Sequence, residues 1–317
     1  MLKRFRNVDL IVKNCMKVKP NQHVLVIADD AAGSVVVGRQ MAEACDSEGA
    51  EVVMAIMEPR SYGGQEPPKS IAEAMKVADV IVVAFESFGL EHTNAAKAAR
   101  ERGVKYVQCM PGESHYKREI SVDDLKKIKK RCEDIAEIVS HSDTAQVTTL
   151  DGSNLRMSLK GRNGIPIYPM SGAPIIVVPD YAEVAVSPVE GSTEGILVTD
   201  VGIRAWDLPL REPLRLTIKH GRVTEFSGPE DYAARFRNLM ATDENASNCA
   251  AELGFGASHT MPRHLVWMGS LTGTIHIAVG RNNDIGGKTF SQIHNDLVIR
   301  KPTVWLDNQC IVKDGEL

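Results

Sequence analysis

Four short stretches in the second half of the chain set an acid or an imidazole inside or beside an apolar run. They are Glu183 in PDYAEVAVSP, Glu252 in NCAAELGFG, His276 in GTIHIAVG, and His294 with Asp296 in SQIHNDLVI. Burying an unpaired carboxylate or imidazole costs several kcal/mol, so each of these needs a partner. On a strand, residues i and i+2 project from the same face, so His294 and Asp296 point side by side into one space. Taken singly, each residue also fits a hydrogen-bonded core position or an outward-facing strand position. Taken together, three carboxylates and two imidazoles form a donor set that suits zinc, manganese, cobalt or iron(II). The set is also large enough for two ions sharing a bridging carboxylate, an arrangement that activates water. The pattern by itself leaves the bland reading and the metal reading both open.

A second tier of candidates lies nearby. The stretch GASHTMPRHLVW holds His259, Arg263 and His264, either a polar loop or a substrate-recognition segment in which Arg263 grips a carboxylate with two hydrogen bonds. Lys288 follows Gly286 and Gly287 and is either a solvated loop lysine or a cationic substrate contact. Asp200 reads as structural.

The elements that must position these residues divide the chain in two. In the first half, apolar runs such as HVLVIAD, AEVVMAIM, DVIVVAFE and VKYVQCM alternate with stretches of helical spacing such as VVVGRQMAEACDSEG. Continuous apolar strands separated by amphipathic helices predict a parallel sheet covered on both faces. Residues 1–140 are therefore expected to form a doubly wound, Rossmann-like α/β domain. Its first strand-to-helix turn reads IADDAAGSVVVG, with Asp29 and Asp30 where a dinucleotide site needs closely spaced glycines and amides open to an anion. Two carboxylates there would repel a phosphate, so no nucleotide motif is present. Residues 141–317 have a different texture, with AQVTTLDGSNLRMSL, APIIVVP, GILVTDVGI, LRLTIKHGRVTEF and TVWLDNQCIV as strands. They are expected to form a β-rich α+β domain that carries the metal and the catalytic groups.

Bulk properties narrow the class further. The chain has 317 residues, 43% hydrophobic and 25% charged, with a formal net charge of −4, so no broad basic field exists to hold nucleic acid or an anionic membrane. No run of 18 apolar residues and no secretory signal pattern appears in it. The six cysteines are scattered, without a CxxC, as in a reduced cytoplasmic enzyme.

At the five donor positions the sequence resembles the aminopeptidase T/aminopeptidase S family of dinuclear, leucyl-aminopeptidase-type metallopeptidases. It is also similar to 2,5-dihydroxypyridine 5,6-dioxygenase. The resemblance spans roughly residues 175–310. PDYAEVAVSP is similar to the peptidases' P-T-E-E-V-F-T-x-P segment, and GTIHIAVG to their G-T-x-H-x-A-x-G; the peptidases' His-x-Asp pair matches His294 and Asp296. The peptidase resemblance implies metal ligation by Glu183, Glu252, His276, His294 and Asp296. It also implies two zinc, manganese or cobalt ions, Glu183 or Glu252 as the catalytic carboxylate, a small-molecule or short-peptide substrate, and a homo-oligomer. The expected reaction on that reading is hydrolysis of an amide bond by metal-activated water. Two features depart from the peptidases. Asn283 stands where they carry a tyrosine, and GRNNDIGGK is closer to the dioxygenase's G-x-N-x-x-x-G-G-K. The dioxygenase in turn has a His where this chain has Glu252 and lacks counterparts of Glu183 and His276. The alternative expectation is a mononuclear non-haem iron(II) enzyme that cleaves a dihydroxypyridine-like ring, with no dependence on Glu183.

Overall fold

A computed structural model describes residues 4–86, 88–199, 201, 210, 212–248, 251–262 and 268–317. Arg263, His264 and Asp200 lie outside the described residues.

Four strands alternate with helices in the first part of the chain: β1 (His23–Asp29), β2 (Glu51–Met57), β3 (Val80–Ala84) and β4 (Lys105–Cys109). The central strand reads VIVVA and is buried along its whole length, as a strand covered on both faces must be. The helix Ala32–Ser47 approaches the sheet closely at Gly38, where an added Cβ would come to 3.0 Å from Met54 Cε and 3.5 Å from Ala28 Cβ. The helix Asn94–Glu101 is capped by the Thr93 side chain, which accepts from Ala96 N. The Glu66 carboxylate takes its Asn94 and Ala95 amides.

The later strands are β5 (Thr144–Thr148), β6 (Asn154–Ser158), β7 (Ile165–Ile167), β8 (Ile176–Val178), β9 (Glu183–Val186), β10 (Glu194–Thr199), β11 (Leu214–Lys219), β12 (Arg222–Ser227), β13 (Glu252–Gly256), β14 (Ile275–Gly280), β15 (His294–Ile299), β16 (Thr303–Leu306) and β17 (Gln309–Val312). A five-stranded sheet in the order β2-β1-β3-β4-β8 is parallel throughout. A seven-stranded sheet, β12-β11-β10-β6-β5-β16-β17, is antiparallel. The third sheet runs β15-β14-β13-β9-β7. The mixed α/β class expected from the sequence is the one observed.

By contact density the chain forms two compact units, residues Met1–Lys129 with Ile167–Tyr181, and Lys130–Pro166 with Ala182–Leu317. The strand in APIIVVP, β8, pairs with β4 and extends the parallel sheet, whereas the sequence texture groups it with the β-rich half. In the first unit, Asp29 accepts hydrogen bonds from Ala31 N at 3.3 Å, in the turn after β1, and from Glu86 N at 3.1 Å, just after β3, so these amides are committed to a carboxylate. Among the described residues, no helix is long and apolar enough to cross a membrane.

Candidate metal centre

The third sheet brings all five donor residues to one face. In antiparallel pairs, residues directly opposite each other share a face. Gly254 lies opposite His276, and Glu252 opposite Ala278. On the far side of β14, Ala278 lies opposite Asp296 and Gly280 opposite His294. On the other flank of β13, Gly256 lies opposite Glu183. Ala278 thus separates Glu252 from Asp296 with nothing larger than a methyl group. The alternate residues of β14, Ile275, Ile277 and Val279, take the opposite face and are fully buried.

Two glycines make this packing possible. The His276 ring lies over Gly254 so closely that a Cβ there would sit 2.0 Å from Nε2. Gly280, with φ of +103°, closes β14, and a Cβ on it would meet the Ile293 carbonyl at 2.2 Å.

Glu252 is the hub. Its Oε1 lies 3.1 Å from His276 Nε2, and its Oε2 lies 3.1 Å from His294 Nε2. Glu183 Oε2 stands 3.6 Å from His276 Nε2, and Asp296 Oδ1 stands 3.4 Å from His294 Nε2. Donor atoms of Glu183, Glu252 and His276 all fall within 4.8 Å of one another. All five residues are at least nine-tenths buried. His294 Nδ1 lies 2.9 Å from the Arg281 carbonyl, which can only accept, so Nδ1 carries the proton and Nε2 is turned toward the carboxylates. His276 Nδ1 has no hydrogen-bond partner among the described residues.

The electrostatics follow from this crowding. Burial opposes charge on Glu252, but hydrogen bonds from both imidazoles, and their charges, overcome it and draw its pKa down to about 2. Burial likewise opposes protonation of His276, yet the charge of Asp296, the bond to Glu252 and the charge of Glu183 raise it to about 9. His294 is pushed well above its ordinary value, against burial, by Asp296 and Glu252. Without metal, then, two protonated imidazoles offset most of the charge of three carboxylates. A divalent cation satisfies the same field and displaces those protons. The cluster is therefore a donor set for a divalent metal. Cys132 lies near enough to feel Glu183, and burial and that charge push its thiol up to about 12.

This has a measurable consequence for the metal-free protein. The raised imidazoles contribute stability that is complete below their ordinary value of 6.5 and is lost as pH rises through their folded values, about 9 for His276 and well above the ordinary value for His294. Glu252 contributes stability that is complete above 4.5 and is lost as pH falls through about 2. Thermal melts of metal-free protein should fall between pH 7 and pH 10, by on the order of 3 kcal/mol. Metal-loaded protein should lack that alkaline decline, because the ion supplies the positive charge. Parallel curves for the two forms would refute the coupling.

Of the remaining sequence candidates, the described ones, His259 and Lys288, are not part of the cluster. His259 lines a cleft of about 680 Å³ with Ser258, Met261, Leu271, Thr272 and Arg300. Arg131, which carries no pattern signal in a charged helix, reaches Ala257 O at 2.8 Å and His259 Nδ1 at 3.3 Å, and so tethers that loop. Lys288 is exposed, and its backbone N–H is held by Glu190 Oε1 at 2.7 Å. Asn283, at the position where the peptidases carry tyrosine, is half-buried and accepts from Arg281 Nε at 3.4 Å. Gly254 is the residue that sequence reasoning passes over; its only signal is a glycine two positions after Glu252.

Residues 10–317 match the family profile of 2,5-dihydroxypyridine 5,6-dioxygenase. The chain belongs to that family. Its fold is also that of the solved 2,5-dihydroxypyridine dioxygenase from Pseudomonas putida KT2440. The TM-score is 0.79 at 18% identity, over 98% of this chain and 96% of the other. No curated protein sequence matches it.

Membership of the dioxygenase family overturns the aminopeptidase-type reading. The match that contradicts a zinc-dependent amide hydrolase runs over nearly the whole length of the chain, to a dioxygenase family. The physical reason for the error is that a buried set of carboxylates and imidazoles holds a divalent ion for either chemistry. Donor type alone does not separate activation of water from activation of oxygen.

Proposed function

We propose that this protein is a non-haem iron(II) dioxygenase that cleaves the ring of a dihydroxypyridine-like aromatic. The observation that carries the reading is Glu252 held between His276 and His294, in a chain whose family is that of the dioxygenase. Two imidazoles and one carboxylate are the donor combination that leaves coordination positions open on ferrous iron. In this reading His276, His294 and Glu252 would hold the ion, and Glu183 and Asp296 stand beside those imidazoles. Iron bound there would supply the electron-transfer chemistry that brings dioxygen and an electron-rich ring into reaction.

The chain's own residues do the rest. The Arg281 carbonyl fixes the His294 ring and its tautomer, so Nε2 stays directed at the site. The buried wall of Ile275, Ile277 and Val279 behind β14 keeps water from that side of the sheet. A carboxylate of the flanking pair, Glu183 or Asp296, is placed to accept a ring hydroxyl proton, which activates the ring toward oxygen.

The test is an oxygen-electrode assay on anaerobically purified, iron(II)-loaded protein with 2,5-dihydroxypyridine and related hydroxylated rings. Oxygen uptake should match ring loss mole for mole, with iron near one per chain by elemental analysis. Iron-loaded protein that consumes no oxygen with any dihydroxylated ring would overturn the proposal.

A further inference from the structure

The loop that joins β14 to β15 holds a cation that no carboxylate balances among the described residues. Arg281 follows β14 directly. Its N–H donates to Ile293 O at 2.8 Å and its carbonyl receives the His294 Nδ1 proton at 2.9 Å. Its backbone is thus fixed at the edge of the metal cluster. The residue is only 2% exposed, yet among the described residues it forms no ion pair. Its polar contact is a long bond from Nε to Asn283 Oδ1, at 3.4 Å. The Phe290 ring stacks on the guanidinium, with the carbon 4.9 Å from the ring centroid, and Phe290 itself is 57% exposed.

Other inward-lying arginines of the chain are treated differently. Arg118 meets Asp180 with both carboxylate oxygens at 2.8 Å. Arg162 is paired with Glu190 and also donates to the Gly286 carbonyl. Where an arginine serves the fold, a carboxylate or carbonyl is provided. A buried guanidinium without one is costly to stability, and a methionine-like side chain would fill the same space more cheaply. A residue that lowers stability in this way is commonly held for a ligand. Guanidinium is a planar fork whose free edge matches a planar oxyanion, two bonds at a time.

We propose that Arg281 is an anion-docking residue. Its free Nη edge, beneath Phe290, takes a carboxylate or an ionised ring hydroxyl. This goes beyond the proposed reaction, because it names the charge of the group recognised and does not depend on which metal binds or whether oxygen is consumed. The oxyanion can belong to a ring-bearing molecule bound at the site or to a small free carboxylate.

The test compares wild type, Arg281→Met and Arg281→Lys in the protein as purified, without oxygen or substrate turnover. Thermal melting and direct titration are read with acetate, with a pyridinecarboxylate, and with the matching neutral pyridinecarboxamide. The pyridinecarboxylate should stabilise wild type and the carboxamide should not. Arg281→Met should melt at or above the wild-type temperature and bind the carboxylate at least tenfold more weakly, with Arg281→Lys intermediate. Acetate matching the pyridinecarboxylate would assign the site to a small free anion; a preference for the ring would assign it to a ring-bearing molecule. If no carboxylate binds wild type, or if the variants bind as wild type does, the proposal is overturned. Arg281→Met that melts well below wild type, or does not fold, would overturn it too, because the residue would then be structural; Arg281→Lys, which keeps the charge and loses the fork, checks the binding result in a second variant. A failed oxygen assay would leave these binding results standing, and the reverse also holds.

Discussion

Glu252→Gln should strip the protein of its metal while leaving the shape of the side chain almost unchanged. Each oxygen of Glu252 stands 3.1 Å from a different imidazole, so this one carboxylate touches both halves of the cluster. The amide that replaces it carries no charge and must turn its NH₂ toward one of the two rings. Loss of a supporting group beyond the ligands typically weakens a metal about 10- to 100-fold, so loss of the central ligand should weaken it by on the order of 100-fold or more. Activity should fall in proportion. The metal-free variant should also lose on the order of 3 kcal/mol of stability, because His276 and His294 are then buried cations each short of a partner. Their pKa values should move down toward the ordinary range. Elemental analysis and chelator competition measure the first effect, and thermal melts at pH 6 the second. A variant that retains its metal at wild-type affinity would remove Glu252 from the site.

The second large effect comes from a residue with no functional group. Gly254→Ala would place a Cβ 2.0 Å from His276 Nε2, 2.1 Å from Cε1 and 2.7 Å from Cδ2, distances that real side chains do not tolerate. The imidazole must swing off the strand, and its 3.1 Å contact with Glu252 goes with it. Overpacking of this kind costs about 1–3 kcal/mol. The expected result is a protein with an unchanged circular dichroism spectrum, a lower melting temperature and little bound metal. In a His276→Ala background the same Gly254→Ala change should be almost neutral, because the ring it displaces is gone. If the two changes were simply additive, the clash would not be the cause.

Several features of the chain are legible in its sequence, for local reasons. Strand β3 is apolar at every position, and only a strand covered on both faces can be. The His294-x-Asp296 spacing puts two side chains on one face, because strand parity is a property of the backbone. Glu252 and His276 stand out as ionisable groups in apolar runs, and such groups must find partners. Gly254 gives no comparable signal, because the ring that lies on it belongs to a strand more than 20 positions away in sequence. The parallel placement of β8 is hidden in the same way. Its residues IVV suit either sheet, and only pairing with β4 decides between them.

The sequence by itself therefore determined the kinds of groups in the site and the faces from which they project. The parity of a strand and the cost of burying charge act within a few residues. The tertiary structure alone decided that Glu252 is the centre, that Glu183 joins His276 while Asp296 joins His294, and that Arg281 is buried with no carboxylate beside it among the described residues. Those facts depend on strand order and register in β15-β14-β13-β9, which arise from pairings between distant segments. The identity of the reaction lay still further from the donor residues. Water and oxygen are activated by the same carboxylates and imidazoles, and what the match over nearly the whole chain adds is the family to which the chain belongs.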